Sequence, residues 1–392
     1  MKKLKKIAAF LLALTMVLAM TSCAKKTEEE HIHKIGVLVY DLKDEQVQAF
    51  REYLEGYIGE NFSDVDFLYS AGVTTEVEEM EFLNNAIAAG VEGVIAFNSF
   101  DLEQEVALCA SHGVYYLRPS STTAPEDFDK VADNPYFLGY FGPGNEMEYQ
   151  AGYDMGVYFA KEQISDSYFL LSGGAGTNVM HEQRAEGMLD ALQEAYGVQF
   201  DQSSMELASA SEPVSVEAGT LKVTVFPGYI GVPDVGEQAV AAFEKDPAGV
   251  VMSTIPVQAI AGSLGDASLG TVDCYTETNG ELFKNGNLKY LCGKYESIIG
   301  PAFAAMYNAV TGYSEDFRED GKAFAIQQGF WTSTDYQDFQ EKYELSSGIT
   351  LNAYSYEDLL EVCKAHNPNA TLDDLKGLAG AWDFDSAVQR RK

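Results

Sequence analysis

Short apolar runs alternate with longer stretches of helical periodicity along most of this chain, in two successive series. Ile35–Tyr40 (IGVLVY) carries no charge, and Asp44–Gly59 after it places Val47, Phe50, Tyr53, Leu54 and Tyr57 at helical spacing. Strands are predicted again over Asp66–Tyr69, Val91–Phe97 and Val114–Leu117, with helices over Thr75–Ala89 and Leu102–His112. The second series opens near Asp166, with strands over Tyr168–Leu171, Leu221–Phe226 and Gly249–Met252 and helices over Val179–Tyr196 and Val235–Glu244. Strands apolar at successive positions are covered on both faces, as in a parallel sheet under helices. Repeated βα units of ~30 residues imply an α/β fold with doubly wound sheets. The helix-to-strand joint AGVEGVI at Ala89–Ile95 returns as PAGVV at Pro247–Val251, so two similar lobes are expected.

Charge narrows the partners. Twenty-six Lys+Arg stand against 60 Asp+Glu, a formal net charge of −34 over 392 residues. A body that acidic repels nucleic acid and anionic headgroups. The exception is the amino terminus, where Lys2, Lys3, Lys5 and Lys6 precede an uncharged run from Ile7 to Met20. That run is shorter than the ~20 residues of a membrane-spanning helix and has the form of a signal h-region. It ends in Met20-Thr21-Ser22-Cys23, which resembles a bacterial lipobox with Met in place of the commoner Leu. The resemblance implies cleavage after residue 22 and lipid on Cys23. Residues 23–33 are polar and read as a tether, with a reach of roughly 35 Å at most for ten extended residues.

From Lys34 to about Gly312 the order of elements resembles the type I periplasmic binding proteins, which include ribose- and galactose-binding proteins. Four segments carry the resemblance: Ala89–Asn98 (AGVEGVIAFN), Gly113–Arg118 (GVYYLR), His181–Gly187 (HEQRAEG) and Lys294–Gly300 (KYESIIG). It implies two lobes joined by a hinge that the chain crosses three times, with a ligand held between them. The expected division is 34–142 with about 299–325 for one lobe, and 143–298 with about 326–345 for the other. Residues 346–392 are a helical extension beyond the usual family length.

In open α/β sheets ligands gather beyond the carboxyl ends of the strands. Tyr40, Asp41, Asn98, Arg118, Ser172, Thr254, Thr276 and Glu277 follow such ends. The resemblance adds Arg184 and Lys294, and Tyr229 as a stacking aromatic, with Phe97 and Phe100 also placed near the cleft. The candidate binding set is therefore Tyr40, Asp41, Asn98, Arg118, Arg184, Tyr229, Glu277 and Lys294. Two positions depart from the family's sugar binders: Leu117 stands where Asp is usual, and Lys294 where Gln is usual. Arg118, Arg184 and Lys294, if convergent, would suit an anionic group.

Other chemistry lacks its motifs. Gly173–Gly176 follows a strand, but the third glycine of a dinucleotide loop falls on Val179. Walker A and G-x-S-x-G patterns are absent. No cofactor, metal or catalysis is expected. His31 and His33 would share one side of an extended chain, but as a mobile pair in a tether they would bind metal weakly. Cys109 and His112 read as packing plus a surface histidine, and Cys274 and Cys292 as free buried thiols. The expected protein is a lipid-anchored, extracytoplasmic solute-binding protein that delivers a small polar ligand, most often a sugar in this family, to an ABC-type permease. The alternatives are a nucleoside or acidic metabolite as ligand, a sensory lipoprotein presenting its ligand to a membrane receptor, or a hydrolase on the same fold.

Overall fold

The computed structural model describes residues 31–162, 164–174, 178–347 and 352–392. The apolar leader and Cys23 lie outside these residues, as do residues 175–177 of the glycine-rich segment.

Two sheets form. The first is wholly parallel and contains β1 (His33–Leu38), β2 (Val65–Tyr69), β3 (Gly93–Ala96), β4 (Tyr115–Arg118), β5 (Phe137–Gly142) and β12 (Phe324–Gln327). Its order is β12-β5-β4-β3-β1-β2. The second contains β6 (Ser167–Leu171), β7 (Val214–Ala218), β8 (Leu221–Phe226), β9 (Val250–Ser253), β10 (Ser268–Cys274), β11 (Leu288–Lys294) and β13 (Trp331–Ser333), in the order β13-β11-β10-β9-β6-β8-β7. Its edge strands β13 and β7 run antiparallel to their neighbours. The helices are α1 (Glu45–Arg51, continued as a π-helix over Glu52–Ile58), α2 (Glu76–Ala88), α3 (Leu102–Ser111), α4 (Pro125–Val131), α5 (Asn145–Glu162), α6 (Val179–Tyr196) and α7 (Ser204–Ala208). They continue with α8 (Pro233–Lys245), α9 (Glu277–Lys284), α10 (Gly300–Asn308), α11 (Tyr336–Ser347), α12 (Tyr356–Val362), α13 (Leu372–Gly380) and α14 (Phe384–Arg390).

The strands are buried on both faces, as their apolar runs require. In β1, Ile35 and Val37 enter the large core that continues into the hinge, while Leu38 joins a second cluster with Leu83, Val94 and Tyr116. In β6, Phe169 and Leu171 face one way and Tyr168 and Leu170 the other. The chain passes between sheets after β5, after β11 and between β12 and β13. β1 begins two residues before the predicted strand and takes in His33, expected in the tether. The reason is pairing: His33 lies opposite Val65, and its N–H donates to the Asp64 carbonyl at 2.7 Å.

Residues 352–392 contribute side chains to the core. Tyr354, Leu359, Cys363, Leu375, Ala379 and Ala387 are buried in the cluster that holds the hinge. Both α12 and α13 lie against α10, and α13 also lies against β12. Tyr53, in the π-turn, donates to the Tyr354 carbonyl at 2.9 Å. Trp331 and Tyr295 stack with centroids 3.8 Å apart, and both donate to the Trp382 carbonyl, at 2.9 and 2.8 Å.

α5 and α6 approach through glycines. A β-carbon on Gly152 would overlap the Arg184 carbonyl, and one on Gly187 the Tyr149 carbonyl. Gly152→Ala therefore forces two backbones apart and is expected to lower stability by about 1–3 kcal/mol in urea denaturation. Gly56→Ala, where a β-carbon meets nothing within 4 Å, is the control and should leave stability unchanged or slightly higher.

Candidate functional site

The strand order reverses between β1 and β3 in one sheet and between β6 and β9 in the other. These are the topological switch points where a doubly wound sheet opens a crevice. The two carboxyl-end faces meet here: Lys294, ending β11, donates to the Ser120 carbonyl beyond β4 at 2.6 Å, and Thr278 donates to Glu45 at 2.7 Å. Ser120 sits at φ +50°, a strained left-handed conformation for a non-glycine residue.

One end of the crevice is acidic. Tyr40, just past β1, hydrogen-bonds Asp44, and burial followed by Asp44 and Tyr229 raises its hydroxyl pKa. Asp44 caps α1 by accepting from the N–H groups of Gln46 and Val47. Burial raises its pKa, against the lowering effect of its bonds to Tyr40 and the helix. Across the gap Asp273, 6% exposed, accepts from Asn279 Nδ2 at 2.7 Å. Burial pushes Asp273 up to about 7, opposed by Asn279, with Asp44 adding to the rise and Gln258 opposing it. Tyr229 is 38% exposed and has Asp44, Asp273 and Asp41 as electrostatic neighbours.

The other end is basic. Arg184 is held by Glu148 at 2.5 Å and by the Thr254 carbonyl at 2.8 Å, both side chains of the pair being buried. Lys294 lies beside it, lowered to about 8 by burial, with Glu148 opposing the fall and Arg184 adding to it. Phe330 faces both cations, 5.5 Å from the Arg184 guanidinium carbon and 6.0 Å from Lys294 Nζ. His181, at the start of α6, is lowered to about 3 by burial and then Arg184, so its ring is neutral.

Asn98 and Arg118 rest on a third feature. Glu79 (α2) and Glu105 (α3) are buried together, and their carboxylates accept from the Phe100 N–H at 2.9 and 3.0 Å. Ser99 and the Asp101 N–H also donate to Glu105, at 2.9 and 2.8 Å, so the loop after β3 is tied to these acids. Asn98 donates to Glu79 at 3.2 Å, leaving its Oδ1 buried without a partner. Arg118 donates to Thr123 at 3.2 Å and lies near enough to Glu79 to offset part of its pKa rise.

Tyr40, Asp41, Tyr229, Arg184 and Lys294 thus converge on the gap, and Asn98 and Arg118 line its first-lobe side. Glu277 does not join them. It is exposed on the first turn of α9, after the Thr276 N-cap, and Asp273 is the inward carboxylate. Phe97 is half-buried, packed against the core and stacked on Phe50 at 5.1 Å, while Phe100 is exposed. Ser172 and Thr254 brace backbone, donating to the Phe226 and Leu171 carbonyls at 3.4 and 3.2 Å. Of the three cations, Arg184 is already paired with Glu148, Lys294 donates to the Ser120 carbonyl and Arg118 donates to Thr123.

Several buried side-chain polar atoms without a partner among the described residues lie beyond strand carboxyl ends: Asn98 Oδ1, Arg118 Nε, Ser120 Oγ, Gln258 Oε1 and Asn279 Oδ1. Buried polar groups are ordinarily hydrogen-bonded, so this concentration of donors and acceptors is what a polar ligand would satisfy.

The acid pair gives a pH test. Burial, then Glu105, pushes Glu79 up to about 9 from an ordinary 4.5. The folded state therefore keeps a proton that the unfolded chain releases above pH 4.5, and stability falls as pH rises from there to about 9. Glu79→Gln should flatten that fall, seen as a smaller difference in urea midpoint between pH 5.5 and 8.5.

No protein-family model matches the sequence, and no curated protein matches it. Solved structures do match. One is a galactofuranose-binding protein, at TM-score 0.59 and 11% identity, covering 81% of this chain and 99% of that one. Another is the periplasmic binding protein of the arabinose ABC transporter of Shewanella sp. ANA-3, bound to L-arabinofuranose, at TM-score 0.56 and 13% identity over 79% and 94%. A third is a carbohydrate transporter protein of Acidothermus cellulolyticus 11B with myo-inositol, at TM-score 0.58 and 16% identity over 82% and 99%. The chain has the two-lobed fold of the type I periplasmic binding proteins.

Proposed function

We propose that this chain is an extracytoplasmic solute-binding protein that captures a neutral sugar or polyol between its lobes for an ABC-type importer. The observation that carries the reading is the set of unpartnered donors and acceptors beyond the strand ends. A sugar hydroxyl both donates and accepts, and so satisfies such a mixed set. An acidic ligand would meet Asp44 and Asp273 at one end and an already paired Arg184 at the other. The structural neighbours include arabinofuranose- and myo-inositol-bound proteins, which supports the same ligand class. The role is binding rather than catalysis, through hinge closure of the two lobes, the motion by which periplasmic binding proteins in general enclose a ligand.

A thermal-shift and calorimetry panel of furanoses, pyranoses, inositols and organic acids tests this. A cognate sugar at roughly 100 times its Kd should add about 2.7 kcal/mol of stability. Asp273→Asn, compared with wild type at pH 8.5 where the raised Asp273 carboxyl has lost its proton, removes an ionised acceptor worth roughly 1.5–3 kcal/mol and should weaken that sugar about tenfold or more. Lys294→Gln should change it little. Stabilisation by organic acids alone, weakened by Lys294→Gln, would overturn the sugar reading.

We propose further that lipid on Cys23 holds the protein at the membrane, on the strength of the basic n-region, the apolar run and the Met-Thr-Ser-Cys junction. Cys23→Ala should release the protein from the membrane fraction or block its processing. A variant processed and membrane-bound like the wild type would remove the anchor from the proposal.

A further inference from the structure

At the amino end of the first sheet, opposite the crevice, two imidazoles and a carboxylate converge. His31 Nε2 lies 2.8 Å from one Glu92 oxygen and His33 Nδ1 lies 2.9 Å from the other. The ligating atoms of all three residues fall within 4.8 Å of one another. Alternation along the chain puts His31 and His33 on one side, and their rings meet edge-on at 4.7 Å. The arrangement is framed by the sheet. His33 belongs to β1, its side chain is only 13% exposed, and its ring stands edge-on to Tyr307 at 6.4 Å. The Glu92 N–H donates to the Lys34 carbonyl at 2.8 Å, and its carbonyl accepts from Tyr115 N–H at 3.0 Å. Two of the three side chains therefore leave backbone fixed by strand pairing, and the exposed His31 can turn onto them.

We propose that His31, His33 and Glu92 form a binding site for a divalent transition-metal ion of the zinc class. Two imidazoles and one carboxylate are the donor set such ions take, with ligand distances of about 2.0–2.2 Å and a remaining position for water. Coordination replaces the two His–Glu hydrogen bonds and requires both rings to present a lone pair to the ion, so binding releases any proton they hold. The strongly acidic chain raises the local concentration of cations around it. Occupancy pins residue 31 to the body and fixes the point from which the preceding segment departs. Nothing in the sugar reading requires this site, which lies at the other end of the strands.

The test is zinc titration of the chelator-stripped full chain against a chromophoric competitor. One equivalent should bind with submicromolar affinity, and His31→Ala, His33→Ala and Glu92→Gln should each weaken it about tenfold or more. His31 has a side chain 69% exposed, so His31→Ala leaves the fold intact, and unchanged melting of that variant separates lost ligation from lost structure. Absence of a submicromolar equivalent, or wild-type affinity in the triple variant, would overturn the site.

Discussion

A buried ion pair organises the second lobe. Taking Glu148 and Arg184 out of water is expensive, and the pair holds only because the geometry is good and a third partner shares the load. The Thr254 carbonyl takes one guanidinium N–H while Glu148 takes another. Thr122, from the first lobe, donates to the same carboxylate at 3.0 Å. That geometry in turn needs α5 and α6 at backbone contact, which the absence of a side chain at Gly152 and Gly187 permits. Burial is the main reason that the pKa values of Lys294 and His181 are lowered, and Arg184 adds to the fall of both.

The first lobe uses acids in the same structural way. Glu79 and Glu105 have no cation of their own on the helices that carry them, and instead collect the N–H groups of the loop after β3. Burial and then the neighbouring Glu105 raise the Glu79 pKa, so Glu79 holds its proton more tightly than an exposed carboxyl does. The result is a short loop tied down at Ser99, Phe100 and Asp101, with the Asn98 amide oxygen left buried without a partner. Both lobes therefore fix a crevice residue through carboxylates that no ligand need touch.

The strands were legible as continuous apolar runs, buried on both faces, and the long helices by their periodic burial. α6 spans the predicted Val179–Tyr196, and β8 the predicted Leu221–Phe226. β7 does not read as an apolar run because it is an edge strand whose residues alternate between half-buried and exposed. Glu277 is the first charge after its strand, yet the inward carboxylate is Asp273. Thr276 is an N-cap, so the residue after it begins a helix and faces outward, and capping chemistry in the sequence carried that information. The buried acids left a trace too: Glu79 shares its helix face with Leu83 and Ala86, and Glu148 shares one with Ala151, Gly152 and Met155. A charge in register with an apolar stripe is a buried charge. Which partner neutralises it depends on contacts between distant segments, and periodicity does not encode those.

The carboxy-terminal arm has a consequence for the order in which the molecule can be completed. Tyr53 finds its acceptor 301 residues later, and the hinge aromatics find theirs at Trp382. Strands β6 to β11 lie within one uninterrupted stretch of chain, so the second sheet can largely assemble as soon as that stretch is made. The first sheet, although its opening strand is synthesised earliest, waits for β12 and then for the arm that seals its core. Contacts this far apart along the chain are slow to form. The earliest-made half is thus the last to close, and a chain threaded through a narrow pore from its amino end stays unfinished until the segment around Trp382 has emerged.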